Sequence, residues 1–184
     1  MANSITPQDI LTFWFEEISE KHWWVGSKAF DETVESRFGE YLPSAELGEF
    51  WHWRVTPQGR LAEILMLDQF TRQIYRGSAR AYASDTMAVA LAQEAVQAKA
   101  HLALEPRRRK FLIMPFMHCE SLVIHDWSLP LWEGLDDPDS MKFELGHRKV
   151  IERFGRYPTR NTVLGRISTD EEIRYLSEEQ KGAV

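Results

Sequence analysis

The feature that most constrains the fold is a helical pattern in the middle of the chain, from Leu61 to Arg76. With about 100° between successive residues, its apolar side chains point in every direction around the helix. They are Leu61, Ile64, Leu65, Leu67, Phe70 and Ile74. A helix that is apolar on all sides is normally buried in a protein core. The sequence therefore predicts that this helix is buried.

The same helix carries four polar side chains within an arc of about a quarter-turn: Asp68, Gln69, Arg72 and Arg76. A buried charge is costly unless it is paired or faces a polar cavity. Asp68 precedes Arg72 by four residues, the favourable order for an ion pair on one helix. Arg72 and Arg76 repeat that spacing as like charges and need a second acid or a bound anion. The arc is therefore either a structural ion pair or the wall of an anion-binding pocket.

Capping and proline signals divide the rest of the chain into helices. Thr6-Pro7 and Thr56-Pro57 begin two of them, and a third runs from about Ser27 to Tyr41. Ser84-Asp85 begins another that ends near Lys99, and capping-box residues Thr169 and Glu172 begin the last. Strand alternation is almost absent. These signals predict one all-α domain over residues 1–184, with seven or eight helices packed as antiparallel pairs.

Two details of the second half of the chain follow from the same reasoning. The segment from Pro106 to Trp132 predicts two helices, or one that breaks near Pro115 and again at Pro130, because an interior proline removes a hydrogen bond. The next helix ends at Phe154, before Gly155. Its expected core-facing stripe, which gives His147 a place in the core, consists of Phe143, His147, Val150, Ile151 and Phe154.

Composition excludes several classes of function. The net charge of −6 argues against a nucleic-acid-binding protein, which usually has a basic face. The longest apolar run, Phe111 to Met117, is far too short to cross a membrane, and the N-terminus lacks a signal-peptide pattern. Cys119 is the single cysteine, which fits a reducing cytoplasm. We therefore expect a cytoplasmic protein without a membrane or nucleic-acid partner.

A second candidate segment contains His118 and Glu120. The zinc-deaminase pattern that begins with such a pair also needs two further cysteines, and the chain has only one. Neither a metal nor a cofactor is therefore predicted. The simplest interpretation of His118 is a hydrogen bond across a packed interface, and the alternative is a role in general acid–base catalysis.

A third candidate segment is the loop that follows Phe154. Gly155 and Pro158 break the helix, and loops on a rigid scaffold often carry function. The loop presents Arg156, Arg160 and Asn161. The planar guanidinium groups suit a carboxylate or a phosphate. The alternative is that these side chains cap carbonyl groups at helix ends.

Taken together, these segments resemble a bacterial family called domain of unknown function nine-two-four. The resemblance is carried by Phe13-Trp14-Phe15, Trp23-Trp24, Phe30-Asp31, Arg37-Phe38, Leu67 to Gly77, Ala81 to Asp85, Met114-Pro115, His118, Glu120, Phe154 to Asn161 and Leu164 to Arg166. It implies an all-α, tetratricopeptide-like, right-handed helical arrangement and brings no established activity. Members of the family tend to have different residues at the positions of Thr71, Gln73, Cys119, His125 and Thr159. At position 159 they tend to have histidine.

Three functional hypotheses remain open. The first is a pocket that binds a small anionic molecule or a peptide carboxylate. Its residues are Asp68, Gln69, Arg72, Arg76, His118, Glu120, Arg156, Arg160 and Asn161. The second is a scaffold that docks another protein through an aromatic surface formed by Trp23, Trp24, Trp51 and Trp53. The third is an acid–base or hydrolytic enzyme in which His118 and Glu120 transfer protons.

Overall fold

The computed structural model of the chain is all-α, as predicted. It describes residues 5–182, and their side chains as far as residue 178; this part contains eleven α-helical segments and no strand. Three of the segments have only four or five residues, which accounts for the difference from the seven or eight helices predicted. The segments are α1 (Pro7–Thr12), α2 (Lys21–Trp24), α3 (Lys28–Phe38), α4 (Leu42–Glu46), α5 (Pro57–Leu65), α6 (Thr71–Ile74), α7 (Asp85–Gln97), α8 (Pro106–His118), α9 (Leu122–Glu133), α10 (Pro138–Phe154) and α11 (Asp170–Gly182).

The predicted central helix is buried. It consists of α5, a π-helical turn over Met66–Phe70, and α6, and every residue from Leu61 to Thr71 is buried. It packs against α1, α3, α7 and α8. The π-helical turn was not predicted. Such turns are rare in proteins, and many of those that do occur lie at functional sites. Asp68 lies in it.

The predicted helix starts are confirmed, and all but one of the predicted capping residues make a side-chain capping bond. Thr6 and Thr56 accept hydrogen bonds from backbone N–H groups in the first turns of α1 and α5, and Thr169 and Glu172 form the reciprocal bonds of a capping box. The exception is Ser84, whose side chain makes no capping bond in the described part of the chain. Asp85 begins α7, and its carboxylate contacts two arginines from other elements.

The segment from Pro106 to Trp132 forms two helices, α8 and α9, so the first of the two predicted alternatives is confirmed. The other alternative, one helix with breaks near Pro115 and at Pro130, is wrong. Both prolines lie inside helices, in α8 and α9, and the chain breaks instead between His118 and Leu122. An interior proline costs about 3 kcal/mol. All seven side chains from Phe111 to Met117 are buried, and burying one large apolar side chain contributes roughly 1.5–3 kcal/mol. Packing therefore outweighs the lost hydrogen bond.

The predicted core-facing stripe of α10 is also wrong. Phe143 is 64% exposed, and of the five residues only Ile151 is buried. The reason is a buried pair between α9 and α10, in which Nδ1 of His125 lies 2.5 Å from Oε1 of Glu144. This pair turns Glu144 toward the core and Phe143 away from it. His147 consequently lies half-buried at the edge of a cavity.

Two further predictions concern the membrane and the arrangement of the helices. No helix in the described residues is both long and apolar enough to cross a bilayer. The tetratricopeptide-like arrangement stays a prediction.

Candidate functional site

Two adjoining cavities contain most of the predicted site residues. Their volumes are about 270 and about 430 Å³, and four residues line both: Arg72, Arg76, His118 and His147. We call the two together the cleft. Its walls come from α2, the end of the central helix, α8, α10 and the loop that follows α10.

The charged side chains on the walls of the cleft all have the same sign. They are Arg72, Arg76, Lys110 and Arg160, and no carboxylate among the described side chains joins them there. The carboxylates that pair with the three arginines line neither cavity of the cleft, although one of them, Asp85, lines a third cavity beside it. They are Asp31, Asp68 and Asp85. A molecule in the cleft would therefore meet hydrogen-bond donors.

Asp68, which does not line the cleft, contacts the ring of His118 through its carboxylate. Its side chain is 1% exposed, and its Oδ1 lies 2.7 Å from Nδ1 of His118 and 3.3 Å from NH1 of Arg72. Nε2 of Gln69 donates to its Oδ2 at 2.5 Å. Burial raises the pKa of Asp68, but the His118 and Arg72 charges and the hydrogen bonds outweigh burial and hold this pKa well below its ordinary value.

The ionised state of Asp68 determines the proton arrangement of His118. An ionised carboxylate can only accept hydrogen bonds, so Nδ1 of His118 carries the hydrogen. In the neutral ring the lone pair is then on Nε2. Because Nδ1 is occupied by Asp68 and the ring lines the cleft, Nε2 is the nitrogen left for a bound molecule.

Asp85 joins Arg72 to Arg160. Its carboxylate lies 2.9 Å from NH1 of Arg72 and 3.0 Å from NH1 of Arg160. NH2 of Arg160 also donates to the backbone oxygen of His118 at 2.8 Å. The Arg160 guanidinium carbon lies 4.6 Å from the ring centroids of both Tyr82 and Tyr157. These contacts fix two guanidinium groups at the cleft before anything binds.

Arg76, the third arginine of the cleft, is held in place by a different carboxylate, that of Asp31. Its Nε and NH2 donate to the two oxygens of Asp31 in α3 at 2.6 and 2.9 Å, and NH2 also donates to Gln73. A Cβ atom at Gly26 would lie 2.6 Å from the Arg76 guanidinium. Glycine at position 26 thus leaves the space in which this guanidinium lies.

His147 is a cleft residue that the sequence reasoning missed. Its Nδ1 donates to the backbone oxygen of Phe143 at 2.8 Å, which leaves Nε2 for the cleft. Burial lowers its pKa, so the ring is neutral near pH 7. One sign in the sequence did point away from a core position for His147: the residues on either side of it, Gly146 and Arg148, are not apolar.

Glu120 faces a third cavity of about 280 Å³, which we call the side cavity. It adjoins the smaller cavity of the cleft, because Tyr82, His118 and Arg160 line both. NH1 and NH2 of Arg166 donate to its two oxygens at 2.8 and 2.7 Å, and the backbone N–H of Tyr157 donates at 2.9 Å. Burial raises the pKa of Glu120, but these hydrogen bonds lower it below its ordinary value. Glu120 is therefore ionised and anchors the loop that carries Arg160.

Arg156 and Asn161 lie outside the cleft, where α11 packs on the loop. Arg156 donates to both oxygens of Glu172 at 2.7 and 2.8 Å and to the backbone oxygen of Ile167 at 2.9 Å. Nδ2 of Asn161 donates to Ser168 at 3.0 Å. Of the nine predicted residues, five line the cleft: Gln69, Arg72, Arg76, His118 and Arg160. Asp68 lies behind them, and Glu120 faces the side cavity.

The contact between α11 and the loop makes a pH-dependent prediction. Hydrogen bonds from Arg156, and then from the Thr169 N–H, lower the pKa of Glu172 to about 2. Because this folded-state pKa lies below the ordinary value of about 4.3, the pair stabilises the fold above about pH 4, and the stabilisation is lost as pH falls through about 2. We expect the Thr169 amide signal in NMR spectra to titrate with a midpoint of about 2.

A matched pair of variants tests the cause of this shift. Arg156→Ala should raise the Thr169 midpoint toward about 4.3. Arg153→Ala removes a neighbouring pair, with Glu171 at 2.8 Å, and should leave the midpoint unchanged. An equal response to both variants would contradict the assignment to Arg156.

Cys119 lines the side cavity and not the cleft. Burial raises the pKa of the Cys119 thiol, which disfavours the reactive thiolate. Within the described side chains, no three His, Cys, Asp or Glu residues come together in a group that could hold a metal ion.

The predicted aromatic surface needs a correction. Trp24 and Trp51 are exposed, but Trp23 and Trp53 are buried. Nε1 of Trp23 donates to the backbone oxygen of Trp14 at 3.0 Å, and Trp53 stacks on Phe50 with ring centroids 4.1 Å apart. The four tryptophans therefore do not form one surface.

Comparison with known proteins gives relatives without an assigned activity. A family model described as "Bacterial protein of unknown function (DUF924)" matches residues 10–180. A solved structure, that of the protein of unknown function ATU0120 from Agrobacterium tumefaciens, is 34% identical and superposes with a TM-score of 0.88. The match covers 94% of this chain and 97% of that one. No curated protein matches.

Proposed function

The chain belongs to the bacterial family of unknown function DUF924, and from this premise we propose that it binds a small anionic molecule in the cleft. Membership of this family indicates the fold, but no activity is assigned to the family or to the solved relative. A function therefore has to be argued from the site. The anion would be a small carboxylate or phosphate, or the carboxylate of a peptide.

One observation carries this proposal: every charged side chain that lines the cleft is cationic, while the carboxylates that pair with its arginines line neither of the two cavities. An anion in these two cavities would approach guanidinium and imidazole groups. Charge-assisted hydrogen bonds of this kind are about twice as strong as neutral ones.

The fixed positions of the arginines support the same conclusion. Arg72 and Arg160 share Asp85, and Arg160 also lies between two tyrosine rings. Ordering a flexible side chain on binding costs about 0.5–1.5 kcal/mol, and here that ordering has already occurred. The two cavities, of about 270 and about 430 Å³, also suit a small molecule.

The proposal predicts that anions stabilise the protein through Arg76. We expect succinate, inorganic phosphate or the peptide Gly-Gly-Phe to raise the melting temperature. A probe at about a hundred times its dissociation constant adds roughly 2.7 kcal/mol, which corresponds to about 5–10 °C in a chain of this length. Arg76→Gln should weaken binding of the active probe about tenfold, because it removes one charge-assisted contact.

Arg80→Gln is the matched control. The Arg76 and Arg80 side chains are both 50% exposed, and each pairs with one carboxylate. Arg80 lies on the wall of neither cleft cavity. Equal effects of the two variants, or no shift with any anion, would overturn the proposal.

The Asp68–His118 contact favours a second candidate, in which the same site performs acid–base chemistry. Nε2 of the neutral ring could take a proton from a molecule in the cleft, and Asp68 would stabilise the imidazolium that forms. The 2.7 Å contact to a carboxylate that is 1% exposed supports this role for His118. Glu120 is held ionised by Arg166, so His118 would act without it.

A further inference from the structure

We propose that the anion bound in the cleft is part of an amphiphile, and that an apolar chain or ring attached to it lies in the larger cavity between Trp24 and Phe143. This inference rests on the proposed anion site and specifies its ligand class. It is carried by the way in which polar and apolar residues are separated along the cleft.

The polar end of the cleft is the part that both cavities share. The four shared residues are two arginines and two histidines. The larger cavity adds five apolar side chains that the smaller one lacks, Trp23, Trp24, Met114, Met117 and Phe143, together with the polar Gln69, Gln73, Lys110 and Ser140. A molecule with its charge at the shared end therefore has a mainly apolar space beside it. That space is also the larger, at about 430 Å³.

Trp24 is held in place although it is exposed. Its side chain is 59% exposed, yet its ring stacks on Phe111, with centroids 6.1 Å apart, and meets Trp23 edge-on. Nζ of Lys110 lies 5.1 Å from the Trp24 ring centroid. A rigid aromatic ring offers contact area without a large loss of conformational freedom on binding.

Phe143 and two methionines complete the apolar end. Phe143 comes from α10 and is 64% exposed, whereas Met114 and Met117 of α8 are buried. Methionine is unbranched and fills irregular spaces, so it adapts to apolar groups of different shape. Large exposed apolar side chains at the rim of a cavity are a feature of ligand-binding grooves.

The test uses a series of linear carboxylates, namely butanoate, hexanoate and octanoate, measured by titration calorimetry. Burial of one methylene group changes the affinity about threefold to fourfold. We expect the affinity of the unmodified protein to rise by about this factor for each added methylene. Trp24→Ala and Phe143→Ala should each flatten this dependence, so that octanoate loses more affinity than butanoate.

Trp51→Ala is the matched control, because Trp51 is another exposed tryptophan, at 67%, and lines neither cleft cavity. It should leave the chain-length dependence unchanged. If butanoate binds and the longer acids bind no better, or if Trp51→Ala has the same effect as Trp24→Ala, the inference fails while the anion site stands. If neither these acids nor the anions proposed above bind, the proposed function fails and the inference with it.

Discussion

Arg54→Met is expected to lower the free energy of unfolding by about 3–5 kcal/mol. Nε and NH2 of Arg54 donate to the two oxygens of Glu63 at 2.7 and 2.6 Å, and the Glu63 side chain is fully buried in α5. The variant keeps an apolar side chain of similar reach and leaves the Glu63 charge without its partner. At about 2–4 °C per kcal/mol, the melting temperature should fall by roughly 10 °C in a calorimetric scan.

The double variant Arg54→Met/Glu63→Leu is the control. Replacing a whole buried ion pair by apolar residues is often neutral or stabilising, so the second change should restore most of the lost stability. Neither residue lines the cleft, and succinate binding should be unchanged. A double variant as unstable as Arg54→Met would show that the stability of the fold depends on the two charged groups of this pair.

The predictions that succeeded depend on neighbours along the chain. The burial of the central helix follows from apolar residues on every side of one segment, and the capping bonds at Thr6, Thr56 and Thr169 join residues three apart. The contact between Asp68 and Arg72 follows from a spacing of four. In each case one helix determines which side chains meet.

The predictions that failed depend on contacts between helices. Arg160 and Asp85 meet at 3.0 Å although they lie 75 residues apart in sequence. His147 faces the cleft because the buried pair of His125 and Glu144 sets the rotation of α10. No local pattern specifies that pair, since its two residues belong to different helices. For the same reason the sequence predicted the arginines of the site and missed the acid that joins them.

Asp68→Asn is expected to cost about 3 kcal/mol of stability and to change the proton arrangement of His118. The change removes a buried charge that faces both Arg72 and His118, and breaking such a group is costly. Arg72 keeps Asp85 at 2.9 Å, so the loss should stay near the lower end of the range of about 3–5 kcal/mol. The melting temperature should fall by about 6–12 °C.

The second readout separates a structural role of Asp68 from a chemical one. In the unmodified protein, ¹⁵N NMR of the neutral His118 ring should show a hydrogen on Nδ1 and a lone pair on Nε2, because an ionised carboxylate cannot donate. In Asp68→Asn the side-chain amide can donate to Nδ1, which allows the hydrogen to move to Nε2. The lone pair would then be withdrawn from the cleft.

Glu120→Gln is the control for both readouts. Glu120 is a partly buried carboxylate paired with Arg166 at 2.7 Å, and it has no hydrogen bond with His118. Its replacement should leave the His118 ring as it is in the unmodified protein. If Asp68→Asn lowers stability and the hydrogen stays on Nδ1, Asp68 acts only as a structural ion-pair partner and does not control the proton arrangement of His118. If the hydrogen moves to Nε2, the buried carboxylate controls which ring atom faces the cleft, as proton transfer at that position requires.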